Sequence, residues 1–252
     1  MHRPGKTDYF SATLHPWSSL IFVLPLLAVY EFGVLWGAAE PETVRNGADT
    51  WLRWGLDQVG LHHPYWAPTI LAVFLIGWGL LWLRDRPNDL VSVWIGMTIE
   101  SVLFALGLWA ISREFVPLLD FLGIQLAMAQ APDADFQQAV GFLGAGIYEE
   151  VLFRLVLFSA LLWLLRSAEV PGLLAFLLAA VTGAAVFSYA HHLGPFGEPY
   201  NGYVFLFRTL AGLYFTLIFQ TRGFGIAVGA HALYDVLVGI VVPSMGGQAA
   251  CG

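Results

Sequence analysis

The chain has 252 residues, of which 58% are hydrophobic and 12% are charged. A water-soluble globule with a polar surface cannot be built from this composition, so the sequence indicates an integral membrane protein. The 11 Lys and Arg residues against 18 Asp and Glu residues give a formal net charge of -7. That balance lacks the basic surface needed to bind nucleic acid, which we exclude as a partner.

Seven apolar stretches of about 20 residues follow one another along the chain, and helices of that length can cross the hydrocarbon core of a bilayer. Their approximate ranges are 17–36, 66–83, 90–111, 136–165, 172–192, 203–220 and 224–242. Strands of an outer-membrane barrel would be about half as long and would alternate apolar with polar residues. The sequence therefore predicts an all-α, polytopic bundle of about seven or eight transmembrane spans.

Two segments between these stretches have mixed polarity. Residues 38–64 combine charged side chains with Trp51, Trp54 and Leu61, which is typical of a helix lying at the membrane interface. Residues 117–135 are compatible with either a short interfacial piece or an eighth span. We predict one integral membrane domain over residues 1–252, with a motif-bearing core at about 136–242, in the cell inner membrane.

Ionisable side chains inside the apolar stretches concentrate in the second half of the chain. An ionisable group near the bilayer centre costs about 2.5–3.5 kcal/mol on insertion scales, so each one suggests a functional site. The side chains in question are Glu149, Glu150 and Arg154 in the fourth stretch, His191 and His192 at the end of the fifth, and His231 and Asp235 in the last. Because lipid does not accept such groups, we expect them to face a shared interior.

Helical spacing divides these residues into pairs. Residues four apart lie on one face of an α-helix, whereas adjacent residues are about 100° apart. Glu150 and Arg154 are therefore predicted to pair, which leaves Glu149 without a local partner. His231 and Asp235 repeat the same spacing. Each pair alone could be a buried structural ion pair, but several such groups in one small bundle favour a shared functional site.

The cluster contains the groups needed to hydrolyse an amide bond without a covalent intermediate. A carboxylate and a histidine can polarise a water molecule, and a facing His/Asp pair can stabilise the developing oxyanion. The sequence has no His-Glu-x-x-His zinc helix and no Gly-x-Ser-x-Gly nucleophile elbow. A Zn²⁺ or other divalent metal site is a second possibility for Glu149, Glu150, His191, His231 and Asp235.

Four blocks of sequence carry a family resemblance. They are Glu149-Glu150-x-x-x-Arg154, Phe187-x-x-x-His191, Arg208-Thr209-Leu210-Ala211-Gly212-Leu213-Tyr214 and His231-x-x-x-Asp235. In order and spacing they resemble the CPBP family of intramembrane proteases, also called the Abi family, which includes the type II CAAX prenyl endopeptidases. The resemblance covers about residues 140–240.

The resemblance implies a membrane-embedded cavity in which a glutamate-activated water cleaves a peptide bond of a membrane-associated or lipidated substrate. It implies that Glu149 is the general base, that His191 shares the water, and that Glu150 and Arg154 form a supporting pair. It also favours a mechanism without a metal or other cofactor.

The resemblance assigns His231 and Asp235 to the oxyanion position, where enzymes of the prenyl-protease branch have Asn in place of the aspartate. An ionised aspartate cannot donate a hydrogen bond. Asp235 must therefore be protonated, or must orient His231 instead.

Two other functions remain compatible with the same polar cavity. A noncatalytic membrane-binding or bacteriocin-immunity module would hold a peptide or lipid headgroup there, and a small transporter would use a buried carboxylate as a proton relay. We find no convincing internal repeat, which disfavours the transporter. The chain retains the candidate base and the histidines, which favours the protease, with a membrane-associated peptide or protein and the lipid bilayer as its expected partners.

Overall fold

The computed structural model describes residues 8–37, 45–124, 136–193 and 197–242. Across these ranges the chain is helical and has no β-strand, as predicted. Ten α-helices are present in the described ranges, and their bounds are α1 (Tyr9–Thr13), α2 (Pro16–Gly37), α3 (Gly47–Gln58), α4 (Trp66–Leu81), α5 (Leu90–Phe121), α6 (Phe136–Gly144), α7 (Ser159–Ser167), α8 (Gly172–Ala190), α9 (Gly202–Arg222) and α10 (Phe224–Val236). A short 3₁₀ turn, Leu83–Asp85, follows α4.

Two stretches of π-helix complete these elements. Ala145–Phe158, called the π segment below, joins α6 to α7 in one continuous helical run. Leu237–Val241 extends α10.

Five helices are long and apolar enough to cross a membrane. They are Pro16–Trp36, Leu90–Phe121, Gly172–Ala190, Gly202–Arg222 and Phe224–Val241. Helix α4 is apolar but has only 16 residues. The run from α6 to α7 consists of three shorter pieces, and its middle piece contains three ionisable side chains. The predicted count of seven or eight spans is therefore not confirmed, whereas the all-helical fold is.

The structure describes parts of the two segments of mixed polarity. The first does form a helix, α3, whose start is buried at Ala48 and Asp49 and whose other residues are half-buried or exposed. The second segment begins inside α5, which continues ten residues beyond the end of the predicted third span, residue 111. Phe115 and Leu119 are buried in this extension of the helix. Residues 38–44 and 125–135 lie outside the described residues, so the eighth span predicted near the latter is not tested.

The π segment lies at the centre of the bundle, where it packs against α3, α8, α9 and α10. Its first six residues, 145–150, are all buried. Hydrogen bonds from residue i to i+5 widen the helical turn, so adjacent side chains are separated by less than the 100° of an α-helix. Glu149 and Glu150 can therefore both face the interior, although they are neighbours in the sequence.

Gly146 allows the π segment to approach α10 closely. A Cβ atom at this position would lie 2.7 Å from the Cβ of Ala232 and 2.8 Å from the carbonyl oxygen of Val228. The second contact is with backbone, so the clash can be relieved only by moving the two helices apart.

We expect Gly146→Ala to lower the free energy of unfolding by about 1–3 kcal/mol, because the added methyl overpacks this contact. Thermal or denaturant unfolding of the purified protein measures the effect. The matched control is Gly183→Ala within α8, where an added Cβ meets no heavy atom within 4 Å. That change should stabilise the protein by about 0.5–1 kcal/mol, since alanine is the better helix former. Equal effects of the two changes would contradict the importance of the close approach.

Candidate functional site

The six predicted site residues come together from three elements. Glu149, Glu150 and Arg154 lie on the π segment, His231 and Asp235 lie on α10, and His191 is the residue that follows α8. Four of these residues are buried, whereas the side chains of His191 and Asp235 are 23% and 22% exposed. The site therefore has a deep side, formed by the Glu/Arg pair, and a more open side.

Glu149 faces the two histidines rather than the arginine on its own helix. Its Oε2 atom lies 3.8 Å from Nε2 of His191 and 3.7 Å from Nε2 of His231. Its other oxygen, Oε1, accepts a hydrogen bond of 2.9 Å from Nδ2 of Asn46. The carboxylate that the spacing left without a local partner is thus held by residues from three other parts of the chain.

The hydrogen bonds of the two histidine rings determine which nitrogen carries a hydrogen. Nδ1 of His191 lies 2.9 Å from the carbonyl oxygen of Phe187, which can only accept. Nδ1 must therefore be protonated, and Nε2 of the neutral ring is an acceptor turned toward Glu149. Nδ1 of His231 lies 2.7 Å from Oε1 of Glu150 and donates to that carboxylate in the same way.

Glu150 and Arg154 form the predicted pair on the deep side of the site. Nη1 of Arg154 lies 2.9 Å from Oε1 of Glu150, and both side chains are almost completely buried. The guanidinium also lies over the ring of Phe187, 4.4 Å from its centre, and 5.6 Å from the ring centre of Phe215. Aromatic faces attract a cation and shield it from lipid, so the buried arginine is stabilised from several directions.

His231 is surrounded by carboxylates. Glu150 contacts its Nδ1 atom, while Nε2 lies 3.5 Å from Oδ2 of Asp235 and 3.7 Å from Oε2 of Glu149. The ring stacks on Phe215 with centroids 4.5 Å apart and an interplanar angle of 16°. The predicted proximity of His231 and Asp235 is present, at a separation longer than a hydrogen bond.

His192 does not take part in the cluster, although it is adjacent to His191. Its Nδ1 atom lies 3.0 Å from the carbonyl oxygen of Glu198, and its ring packs beside Tyr200. The neighbouring histidine is thus turned away from Glu149 and cannot substitute for His191 in this arrangement.

An ion pair between Arg208 and Glu198 lies at the open side of the site, close to His191. Arg208 donates two hydrogen bonds of 2.8 Å to the carboxylate of Glu198, and this holds the pKa of Glu198 below its usual value. The backbone N–H of Glu198 in turn donates to the carbonyl oxygen of His191. Arg208, which belongs to the third block of the family resemblance, therefore helps to hold Glu198 beside His191 at the open side of the site.

Asn46 is the site residue that sequence reasoning missed. It lies 103 positions before Glu149, in a segment interpreted as an interfacial helix. The available signal was that of an asparagine preceding a helix, which predicts an N-cap but gives no information about the helix on which it docks.

Among the residues that the structure describes, no group of three His, Cys, Asp or Glu side chains forms a metal site.

Comparison with known families agrees with the resemblance seen in the sequence. Residues 136–237 match the family model described as Type II CAAX prenyl endopeptidase Rce1-like, which confirms the predicted relationship for that part of the chain. The match contains all six predicted site residues and excludes Asn46. No match was found among curated proteins or among solved structures. Together with the five apolar helices, the match identifies an integral, multi-pass membrane protein.

Proposed function

With the Rce1-like match over residues 136–237 as the premise, we propose that this chain is an intramembrane endopeptidase in which Glu149 activates a water molecule. The observation that carries the proposal is the separation of 3.8 Å between Oε2 of Glu149 and Nε2 of His191. Both atoms are acceptors when the glutamate is ionised and the histidine is neutral. One water molecule can donate a hydrogen bond to each of them at this spacing.

The proposed reaction begins with attack of this water on the carbonyl carbon of the scissile peptide bond. Glu149 takes a proton from the water as the new C–O bond forms, and the carbonyl oxygen becomes an oxyanion. The protonated glutamate then gives its proton to the peptide nitrogen, and the C–N bond breaks. The products are a carboxylic acid and an amine, so no co-reactant besides water is needed.

In the proposed mechanism His231 stabilises the oxyanion. Because its Nδ1–H is donated to Glu150, the ring can present Nε2–H to the substrate when it is positively charged. The carboxylates near its two nitrogens favour that charge state electrostatically. Asp235, an aspartate where the prenyl-protease branch has asparagine, then serves to orient and charge the histidine and does not itself donate a hydrogen bond to the oxyanion.

The substrate class that fits this proposal is a membrane-associated or lipidated peptide, because the catalytic groups lie within a bundle of apolar helices. The test uses purified protein in detergent and a panel of prenylated, otherwise lipidated and unmodified hydrophobic peptides, with products identified by mass spectrometry. We expect cleavage of at least one class, unchanged by a chelator. Cleavage abolished by the chelator and restored by Zn²⁺ would contradict the metal-free mechanism, and peptide binding without any cleavage would favour the binding or immunity module.

Replacement of each of the two adjacent histidines by alanine provides a matched pair of variants. We expect His191→Ala to lower kcat by on the order of 10²-fold, because the water loses one of its two acceptors. His192→Ala, which removes a ring directed toward Glu198 and Tyr200, should retain kcat within about twofold. Steady-state cleavage of the best peptide measures both. A larger loss in His192→Ala than in His191→Ala would contradict the assignment.

A further inference from the structure

Asn46 uses both ends of its amide at the same time. Its Oδ1 atom accepts a hydrogen bond of 2.8 Å from the backbone N–H of Ala48 and thereby caps the N-terminus of α3. Its Nδ2 atom donates to Oε1 of Glu149 at 2.9 Å. Because an amide has one accepting and one donating end, the cap also determines which end is turned toward Glu149.

A buried cluster of charges holds Asn46 in place. Asp49, which is completely buried on the first turn of α3, accepts hydrogen bonds from Arg45 at 2.8 Å, Tyr30 at 2.8 Å and Arg53 at 2.7 Å. Tyr30 belongs to α2, so this carboxylate ties the start of α3 to the body of the bundle. A buried carboxylate with three donors is stabilised, and its loss would release the segment that contains Asn46.

The charged cluster around Asp49 also includes Glu31, which contacts the neighbour of Glu149 in the sequence. The hydroxyl group of Tyr148, the residue before Glu149, donates a hydrogen bond of 3.0 Å to Glu31. Glu31 lies 3.5 Å from Nη1 of Arg45 and 3.6 Å from Nη2 of Arg53. The side chain that precedes the glutamate is therefore held by Glu31 of α2, and an oxygen of the glutamate's carboxylate is held by the N-cap of α3. Both partners lie outside the residues that match the family.

We propose that Asn46 is a positioning residue, which occupies Oε1 of Glu149 so that Oε2 faces His191 and His231. This inference rests on the proposed function of Glu149. It adds a requirement for the N-terminal part of the chain, whose segment 45–49 completes a site otherwise built within residues 136–237. A carboxylate with one oxygen engaged cannot rotate freely, so the water-binding oxygen has a single orientation.

The experiment compares Asn46→Ser with Asn46→Asp. Both replacements are good N-cap residues, so both preserve the cap of α3. Serine is too short to reach Glu149, whereas aspartate offers it a second negative charge instead of a donor. We expect Asn46→Ser to lower kcat by about 10-fold to 100-fold with little change in KM, because a hydrogen bond to a charged group is lost. Asn46→Asp should cause a larger loss.

The pH dependence separates positioning from simple destabilisation. Without its donor the ionised form of Glu149 is less favoured, so the acid limb of the kcat profile should move up by about one pH unit in Asn46→Ser and further in Asn46→Asp. The matched control is Asp89→Ser, which keeps the N-cap of α5 at an exposed position with no contact to the site. It should leave both kcat and the profile unchanged.

Infrared spectroscopy tests the contact between Asn46 and Glu149 independently of peptide cleavage. The carboxyl band of Glu149 can be assigned by infrared difference spectra between the wild type and Glu149→Gln, and its titration followed in each variant. A shift of this titration in Asn46→Ser supports the contact even if no peptide is cleaved, which would overturn only the proposed function. A titration and pH profile identical to those of the wild type, in a folded Asn46→Ser protein, would overturn the positioning role.

Discussion

Glu149→Gln is expected to abolish most of the peptide-cleaving activity while leaving the protein folded. The replacement is nearly isosteric, and its amide oxygen can still accept the hydrogen bond from Asn46. Its amide nitrogen then faces Nε2 of His191, an acceptor 3.8 Å away, which it can reach through a bridging water molecule. What is lost is the ability to take a proton, and general-base catalysis contributes on the order of 10²–10⁴-fold to a rate.

The kinetic signature of this change should be a loss in kcat and in kcat/KM of equal size, because the base acts only as the transition state forms. Unfolding temperature and elution in detergent should match the wild type. Glu114→Gln, the same replacement at an exposed position on α5, is the control and should retain activity. A folded Glu149→Gln protein with more than about one tenth of wild-type activity would show that another group activates the water.

The helices could be predicted from the sequence wherever one long apolar stretch makes one helix. The stretches at 172–192 and 203–220 correspond to α8 and α9 within two residues at each end. The bounds of α4 and of the run from α6 to α7 were predicted equally well, but the number of spans is not confirmed where length and polarity conflict. Helix α4 has 16 residues, which is short for crossing a bilayer, and the run around the π segment contains the site's own charges, which interrupt its apolar pattern.

The site could be predicted only as far as local periodicity extends. The spacing of four residues correctly paired Glu150 with Arg154 and brought Asp235 close to His231. Contacts between distant parts of the chain leave no such pattern, because they depend on how helices pack. The segment with Asn46 and the charges of α3 therefore predicted only an interfacial helix, because one polar face is typical of such helices, and gave no sign of the contact with Glu149.

Arg154→Met is expected to destabilise the fold strongly. The arginine is 1% exposed and forms an ion pair of 2.9 Å with the buried carboxylate of Glu150. Methionine retains much of the apolar stem but leaves Glu150 with His231 as its remaining partner. Removal of one member of a buried ion pair costs about 3–5 kcal/mol, since the other charge stays desolvated. Unfolding of the purified variant measures this loss.

The double variant Glu150→Gln with Arg154→Met distinguishes lost charge pairing from lost packing. If the cost arises from the uncompensated carboxylate, neutralising it should recover at least about half of the lost stability. Arg208→Met provides the comparison, because Arg208 and Glu198 are 25% and 52% exposed and such pairs contribute about 0–1 kcal/mol.

A double variant no more stable than Arg154→Met would mean that the rings of Phe187 and Phe215, packed around the guanidinium, account for the loss. Recovery of stability without recovery of cleavage would instead separate the two roles of Glu150, as a partner of the arginine and as the acceptor that orients His231.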